Sequence, residues 1–336
     1  MTSKYDHLAA TNYLSNLCKD GTPLRGRIAL LSFPNEISAK MIDTAIMFIE
    51  YTQLMALFLR ATSQFYSEQV TNSIEIYPVL LVFVKIFNTG NLLPLNKDGL
   101  ETITRVLELC TTLYVFRISL FFYVVWLAFK RKTYSELLLR SWQWIFYLQT
   151  KVLFNVFTSI YSNIYGGASK DLLGLDASRR YAFMAWCIIM IILEFAFSFT
   201  LTTQFSNVLP FKRFSASKNN SLELNVLMQK FANNMLRRIF GWDYSVAIWT
   251  YGPMNIIFSL ARIYQVFQKL PLYNYKALKL QISLLILTFT LSVACFANVS
   301  LDFTKSNMNF VIITWIILTI FCSKLPLPTL RKNSGH

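Results

Sequence analysis

Residues 182–201 read AFMAWCIIMIILEFAFSFTL, twenty positions with a single charge, Glu194. At about 1.5 Å per residue a helix of this length covers roughly the 30 Å hydrocarbon layer of a bilayer. A lone carboxylate inside such a span costs about 2.5–3.5 kcal/mol on insertion-type scales unless it meets other helices or water. Ser198 and Thr202 follow Glu194 at intervals of four, so the three share one helix face. A polar stripe on an oily rod needs partners within the membrane. The expected fold is therefore all-α, a polytopic transmembrane helix bundle.

The remaining apolar runs fit that expectation. About seven spans are predicted, near 41–59, 110–129, 142–165, 182–204, 244–267, 280–297 and 308–323. Residues 76–87 are apolar but short, hold Pro78 and Lys85, and stop at Asn88. They read as a re-entrant or interfacial segment, too short to cross upright. Residues 221–240 carry Leu224, Met228, Phe231, Met235 and Ile239 at helical spacing. That pattern predicts an amphipathic surface helix lying in the interface or against the bundle. Gly166-Gly167 is expected to end the third span, and Gly252-Pro253 to kink the fifth. These spans form one helical domain over 41–323. Polar residues 1–40 make an N-terminal tail without the pattern of a secretory signal, and 324–336 a basic C-terminal tail.

Composition narrows the function classes. Charged residues are 15% of the chain, against about 25% in ordinary soluble domains. Thirty-two Lys and Arg face seventeen Asp and Glu, a net charge of +15. In a chain of long apolar runs this excess marks basic loops that meet anionic headgroups. The expected partner is thus the lipid bilayer itself, and nucleic acid is not, since no basic module with a core of its own is present. The two histidines, His7 and His336, both lie in the tails. Imidazole-based proton shuttles, metal sites and acyl-transfer bases are therefore not expected inside the fold. The five cysteines form no Cys-x-x-Cys pair, and neither a nucleophile elbow nor a phosphate loop occurs. No catalytic residue, metal or cofactor is predicted, and the chain does not read as an enzyme.

What remains is a set of ionisable groups inside the spans: Asp43, Glu50 and Glu194 against Arg117, Lys151 and Arg262. Left unpaired, they would together cost on the order of 15–20 kcal/mol. That exceeds the 5–15 kcal/mol by which folded proteins are usually stable. They must pair, reach the headgroups, or line water. Asn155 lies four residues after Lys151, Ser198 four after Glu194, and Asn255 seven before Arg262, each on the face of its charge. The candidate site is accordingly Glu50, Arg117, Lys151, Asn155, Glu194, Ser198, Asn255 and Arg262.

Intramembrane ionisable residues point by default to a functional path. The expected function is that of a multi-pass integral membrane protein, channel- or transporter-like, with this cluster on one polar cavity. The alternative is a non-catalytic structural or accessory subunit of a larger membrane complex. It would pack on partner subunits or on further copies of itself, and its charges would form closed pairs.

Overall fold

The computed structural model describes residues 41–54, 93, 95–129, 141–142, 144–145, 147–205, 221–239, 244–269 and 275–300. Every regular element among them is helical. The tails 1–40 and 324–336, the segment 76–87 and the span predicted at 308–323 lie outside the described residues.

Helix α1 covers residues 41–54. A 3-10 turn, Lys97–Gly99, leads into α2, Leu100–Phe129. The Asn96 side chain accepts the Gly99 N–H at 2.9 Å, which caps this entry. Helix α3 covers residues 147–169 and contains one π turn, Gln149–Leu153, before the regular stretch Phe154–Ser169. Then come α4, Ala177–Phe205; α5, Ser221–Ile239; α6, Tyr244–Lys269; and α7, Tyr275–Ser300.

Side-chain pairings fix the directions. Tyr114 and Phe121 of α2 both meet Phe197 of α4, and a groove brings Thr104 to Phe183, so α2 and α4 run parallel. Gln149 near the start of α3 bonds Arg117 and Glu194, while Gly167 near its end lies against Leu95, just ahead of α2, so α3 runs antiparallel to α2 and α4. Asn255 of α6 meets Asn233 of α5, while Val266 packs in one cluster with Leu222 and Val226, so these two are antiparallel. Gly252 of α6 touches Phe296 of α7 and Val266 packs with Ala277, so these are antiparallel as well.

Two helices are long and apolar enough to cross a membrane, over Leu100–Leu127 and Ala177–Thr203. The seven-span count is not reproduced at that standard. Helices α3 and α6 dilute their apolar residues with Gln149, Lys151, Asn155, Asn255 and Arg262, and α7 holds a shorter apolar stretch, Ala277–Thr290. The two long helices bury one face each. Ile103, Leu107, Cys110 and Tyr114 of α2, and Cys187, Met190, Ile191 and Phe197 of α4, close on Phe157, Tyr161 and Ile164 of α3. Their opposite faces leave Leu109, Phe116, Phe122, Trp126, Trp186, Ile189 and Ile192 exposed. In lipid such faces carry no penalty, and helix association rests on close fit and polar contacts.

Two expectations change. Helix α3 passes through Gly166-Gly167 and ends at Ser169, where Asp171 takes the left-handed conformation (φ 55). Leu172 N–H then reaches the Gly167 carbonyl and Asp171 N–H the Ala168 carbonyl, the bond pair that closes helix C-termini. At Gly167 a Cβ would stand 3.2 Å from Leu95, so the bare backbone lets Leu95 pack closely here. The second change concerns α5, which is not a surface helix. It packs on α3, α4 and α6, and buries Gln229, Lys230, Asn233 and Asn234 while Met228 is 40% exposed. The sequence pattern is amphipathic as expected, but neighbours cover both sides: Leu222, Val226 and Leu227 are buried as well, and Phe231 and Met235 pack against the core of α2, α3 and α4.

Helix α6 continues through Gly252-Pro253. Gly252 has the Phe296 ring where a Cβ would stand. A ring held this close to its own backbone cannot swing away as a flexible chain end does. Gly252→Ala is expected to lower stability by about 1–3 kcal/mol, the usual overpacking cost, and Gly252→Ala with Phe296→Ala to recover part of it. Thermal unfolding of the purified variants in detergent checks both; an unchanged midpoint for the single variant would show that α6 and α7 do not meet here.

Candidate functional site

The ionisable residues fall into separate groups around α3 instead of one cavity. The first joins α2, α3 and α4. Arg117 donates to both Glu194 oxygens, Nη2 to Oε1 at 2.5 Å and Nη1 to Oε2 at 3.3 Å. It also donates from Nη1 to Gln149 Oε1 and from Nε to the Leu113 carbonyl at 3.1 Å. Gln149 Nε2 donates to Glu194 Oε2 at 2.9 Å and to Ser198 Oγ at 3.0 Å. The guanidinium lies over the Phe157 ring, 4.2 Å from its centroid. Glu194 and Ser198 are fully buried and Arg117 is 4% exposed. Forked charge pairs of this type are the strong ones, and here every nitrogen of the guanidinium and both carboxylate oxygens have a partner. The group is closed.

The second group joins α1, α3 and α5. Lys151 Nζ lies 3.2 Å from Glu50 Oε2 and 3.3 Å from Glu223 Oε1. Lys230 Nζ lies 3.2 Å from Glu50 Oε1 and donates to the Lys151 carbonyl at 2.6 Å. Two carboxylates thus alternate with two ammonium groups, Glu50 held between both lysines. Lys230 is fully buried. Lys151 belongs to the π turn, a widened turn of the kind that recurs at functional sites. Gln149 and Lys151 are two residues apart, on opposite sides of the helix. The one serves the Glu194 group and the other the Glu50 group.

The third group is uncharged and runs between α3, α5 and α6. Asn234 Nδ2 donates to Asn155 Oδ1 at 3.1 Å and to Thr158 Oγ1 at 3.0 Å. Asn255 accepts from Gln229 Nε2 at 2.5 Å and from Asn233 Nδ2 at 3.2 Å, and donates back to Asn233 Oδ1 at 3.3 Å. Arg262 stands by itself on α6. It is fully buried, donates from Nε to the Phe258 carbonyl at 3.3 Å and from Nη2 to Ser259 Oγ at 3.2 Å, and has no carboxylate within ion-pair distance among the described residues.

All eight predicted residues are therefore buried. Glu50 meets Lys151, Arg117 meets Glu194 and Ser198 joins the latter through Gln149, whereas Asn155, Asn255 and Arg262 stand in other groups. Sequence reasoning missed Gln149, Glu223, Gln229, Lys230, Asn233 and Asn234. The four on α5 from Gln229 onward recur at one, four and five residues, a single helical face. An amphipathic helix expected in the interface or against the bundle leaves that face outside the candidate site. A groove of about 450 Å³ opens between the first turns of α2 and α4, lined by Thr104, Leu107, Thr111, Phe183 and Trp186; no candidate site residue lines it. Among the described residues no three His, Cys, Asp or Glu side chains gather to hold a metal ion. Comparison with known proteins finds no family model, no curated protein and no solved structure that matches the chain.

Removing one member of a buried pair leaves the other charged and unpaired, at about 3–5 kcal/mol. Arg117→Met is expected to destabilise by that amount, and Arg117→Met with Glu194→Gln to recover most of it, in denaturant titrations in mixed micelles. Equal losses in the single and double variants would mean that the pair does not form. Lys230→Met leaves Glu50 with Lys151 alone, and a loss of about 1–3 kcal/mol is expected.

Proposed function

We propose that the chain is a multi-pass membrane protein whose interior forms a polar path for a small solute, channel- or transporter-like in kind. The carrying observation is α5. Its Gln229, Lys230, Asn233 and Asn234 face inward, against polar residues of α1, α3 and α6. A helix of nineteen residues is about as long as the hydrocarbon layer is thick. Of the residues 221–235 only Met228 is exposed, so the helix lies within the bundle with its polar side chains covered. Here an oily exterior on α2 and α4 encloses an amide-rich seam, which is the arrangement of a membrane bundle around a polar interior. Several buried polar atoms beside the seam, including Gln229 Oε1 and both side-chain polar atoms of Asn163, have no hydrogen-bond partner. Buried polar groups are rarely left so, and a hydrated or solute-bearing path would satisfy them. No catalytic role is part of this reading.

A second reading has its own support. The Arg117–Glu194–Gln149 group is closed and saturated, as expected of a register-fixing pair in a scaffold subunit. In that case the exposed aromatic faces of α2 and α4 would pack on partner subunits or on a second copy.

The two readings part in a flux measurement on the protein reconstituted alone into liposomes. A path predicts solute leak or exchange above protein-free vesicles, reduced at least about tenfold by Asn233→Leu with Asn255→Leu. That change removes both partners of the Asn233–Asn255 pair and leaves Gln229 Nε2 without its acceptor, so the unfolding midpoint of the variant is compared with that of the unaltered chain before flux is read. Absence of flux in the unaltered chain, or flux untouched by the double change, favours the scaffold.

A further inference from the structure

The groove between the first turns of α2 and α4 holds about 450 Å³ and takes no part in the polar groups around α3. Both helices are long and apolar enough to cross a membrane, and they run parallel, so their charged starts stand at one boundary. Those starts carry Glu101 and Arg105 on α2, and Arg179 and Arg180 on α4. From Thr104 to Thr112 the α2 wall covers eight residues, about 12 Å at 1.5 Å each. Phe183 and Trp186 form the α4 wall, within a run without charge from Tyr181 to Leu193. The groove therefore leads from the charged ends towards the oily faces.

Glu108 stands midway along it. The residue is exposed, and among the described residues its carboxylate has neither a hydrogen bond nor an ion pair. Arg105, one turn earlier, is held by Glu101 at 2.5 Å. The lining threonines have spent their protons on carbonyls four residues back. Thr104 donates to Leu100 at 2.9 Å, Thr111 to Leu107 at 2.8 Å and Thr112 to Glu108 at 2.8 Å. What these hydroxyls and the carboxylate still offer is lone pairs. Apart from the Trp186 N–H, every polar side chain of the groove therefore accepts, and one of them carries a negative charge.

A carboxylate set against hydrocarbon is costly without a counter-charge. An ammonium group brings that charge together with three N–H donors, and aromatic rings add a further attraction for it. We infer that the groove binds a single-chain lipid amine, its primary ammonium against Glu108 and the neighbouring threonine oxygens, its chain along Phe183 and Trp186. An anionic lipid would meet the Glu108 charge, a neutral alcohol would leave that charge in place, and a quaternary head would bring the hydroxyl oxygens no donor. The inference rests on α2 and α4 standing in lipid and not on solute crossing the bundle, so amine binding and flux can fail separately.

The experiment uses the full chain reconstituted into phosphatidylcholine vesicles, with a twelve-carbon primary amine carrying a photoreactive diazirine on its chain as the probe. Crosslinks are mapped by peptide mass spectrometry and are expected on the groove walls, 104–112 and 182–186. Unlabelled dodecylamine should displace the probe at least about tenfold better than dodecanol, which has the same chain and no charge. Glu108→Gln, a change at an exposed position, should leave the unfolding midpoint in place and weaken labelling of the groove at least about tenfold. Trp186→Leu keeps the wall apolar and should weaken it about two- to fivefold. Dodecanol competing as well as dodecylamine would assign the groove to neutral lipid, and equal labelling of Glu108→Gln would detach the amine from the carboxylate; either result overturns the inference. So does an unlabelled groove in the unaltered chain, whether it stays empty or a second copy covers it.

Discussion

The fold depends on the pairing of charge in a place where water cannot supply it. In a dry interior every ionised group must find its opposite or an oriented dipole. Helix α3 organises this. Its π turn gives Gln149 to one side and Lys151 to the other, so a single element serves two polar groups that do not touch. Twelve of the sixteen residues of Phe154–Ser169 are buried, more than an element with one core face could achieve. The neighbouring helices are then placed by what they bring: α4 brings a carboxylate, α2 a guanidinium, α1 a second carboxylate and α5 an ammonium.

The two sides of α3 differ in kind. On the α2–α4 side, every side-chain polar atom of Arg117, Glu194 and Gln149 has a partner, among these three or in Leu113 and Ser198. Such a group has little to offer a passing solute and much to offer a helix seeking its register. On the α5–α6 side, the amides of Asn233, Asn234, Asn155 and Asn255 exchange bonds among equals. Carboxamides can give and take in several ways, and neutral bonds break at modest cost. The first side reads as masonry and the second as lining. Both sides are needed, since the outer helices present their oily faces outward only while the seam is held inside.

Much of this was legible in the residues. The isolated charge of Glu194 required a partner, and a bidentate arginine met it. Spacing placed Ser198 on the same face, and the structure joins it through Gln149. The balance of acids and bases implied interior pairing, and Glu50 with Lys151 supplies a further instance. Helix α5 was misread because periodicity reports that a helix has two faces and not which one the fold uses. Neighbours cover α5 on several sides, so its polar side chains are buried along with Leu222, Val226 and Leu227. Extra members of the groups, Lys230 and Glu223 above all, come from that helix. The spacing predicts no π turn at QTKVL, where Gln149 and Lys151 meet partners in different groups.

The ammonium of Lys230 rests on a main-chain oxygen, that of residue 151, as well as on a carboxylate. A side chain can be exchanged by a single nucleotide change, whereas a carbonyl stays whatever residue occupies the position. Drift at position 151 would therefore loosen its links to Glu50 and Glu223 while α5 kept its grip on the backbone of α3. The joint between these helices is thus anchored partly in the polypeptide itself, beneath the acidic and basic residues around it.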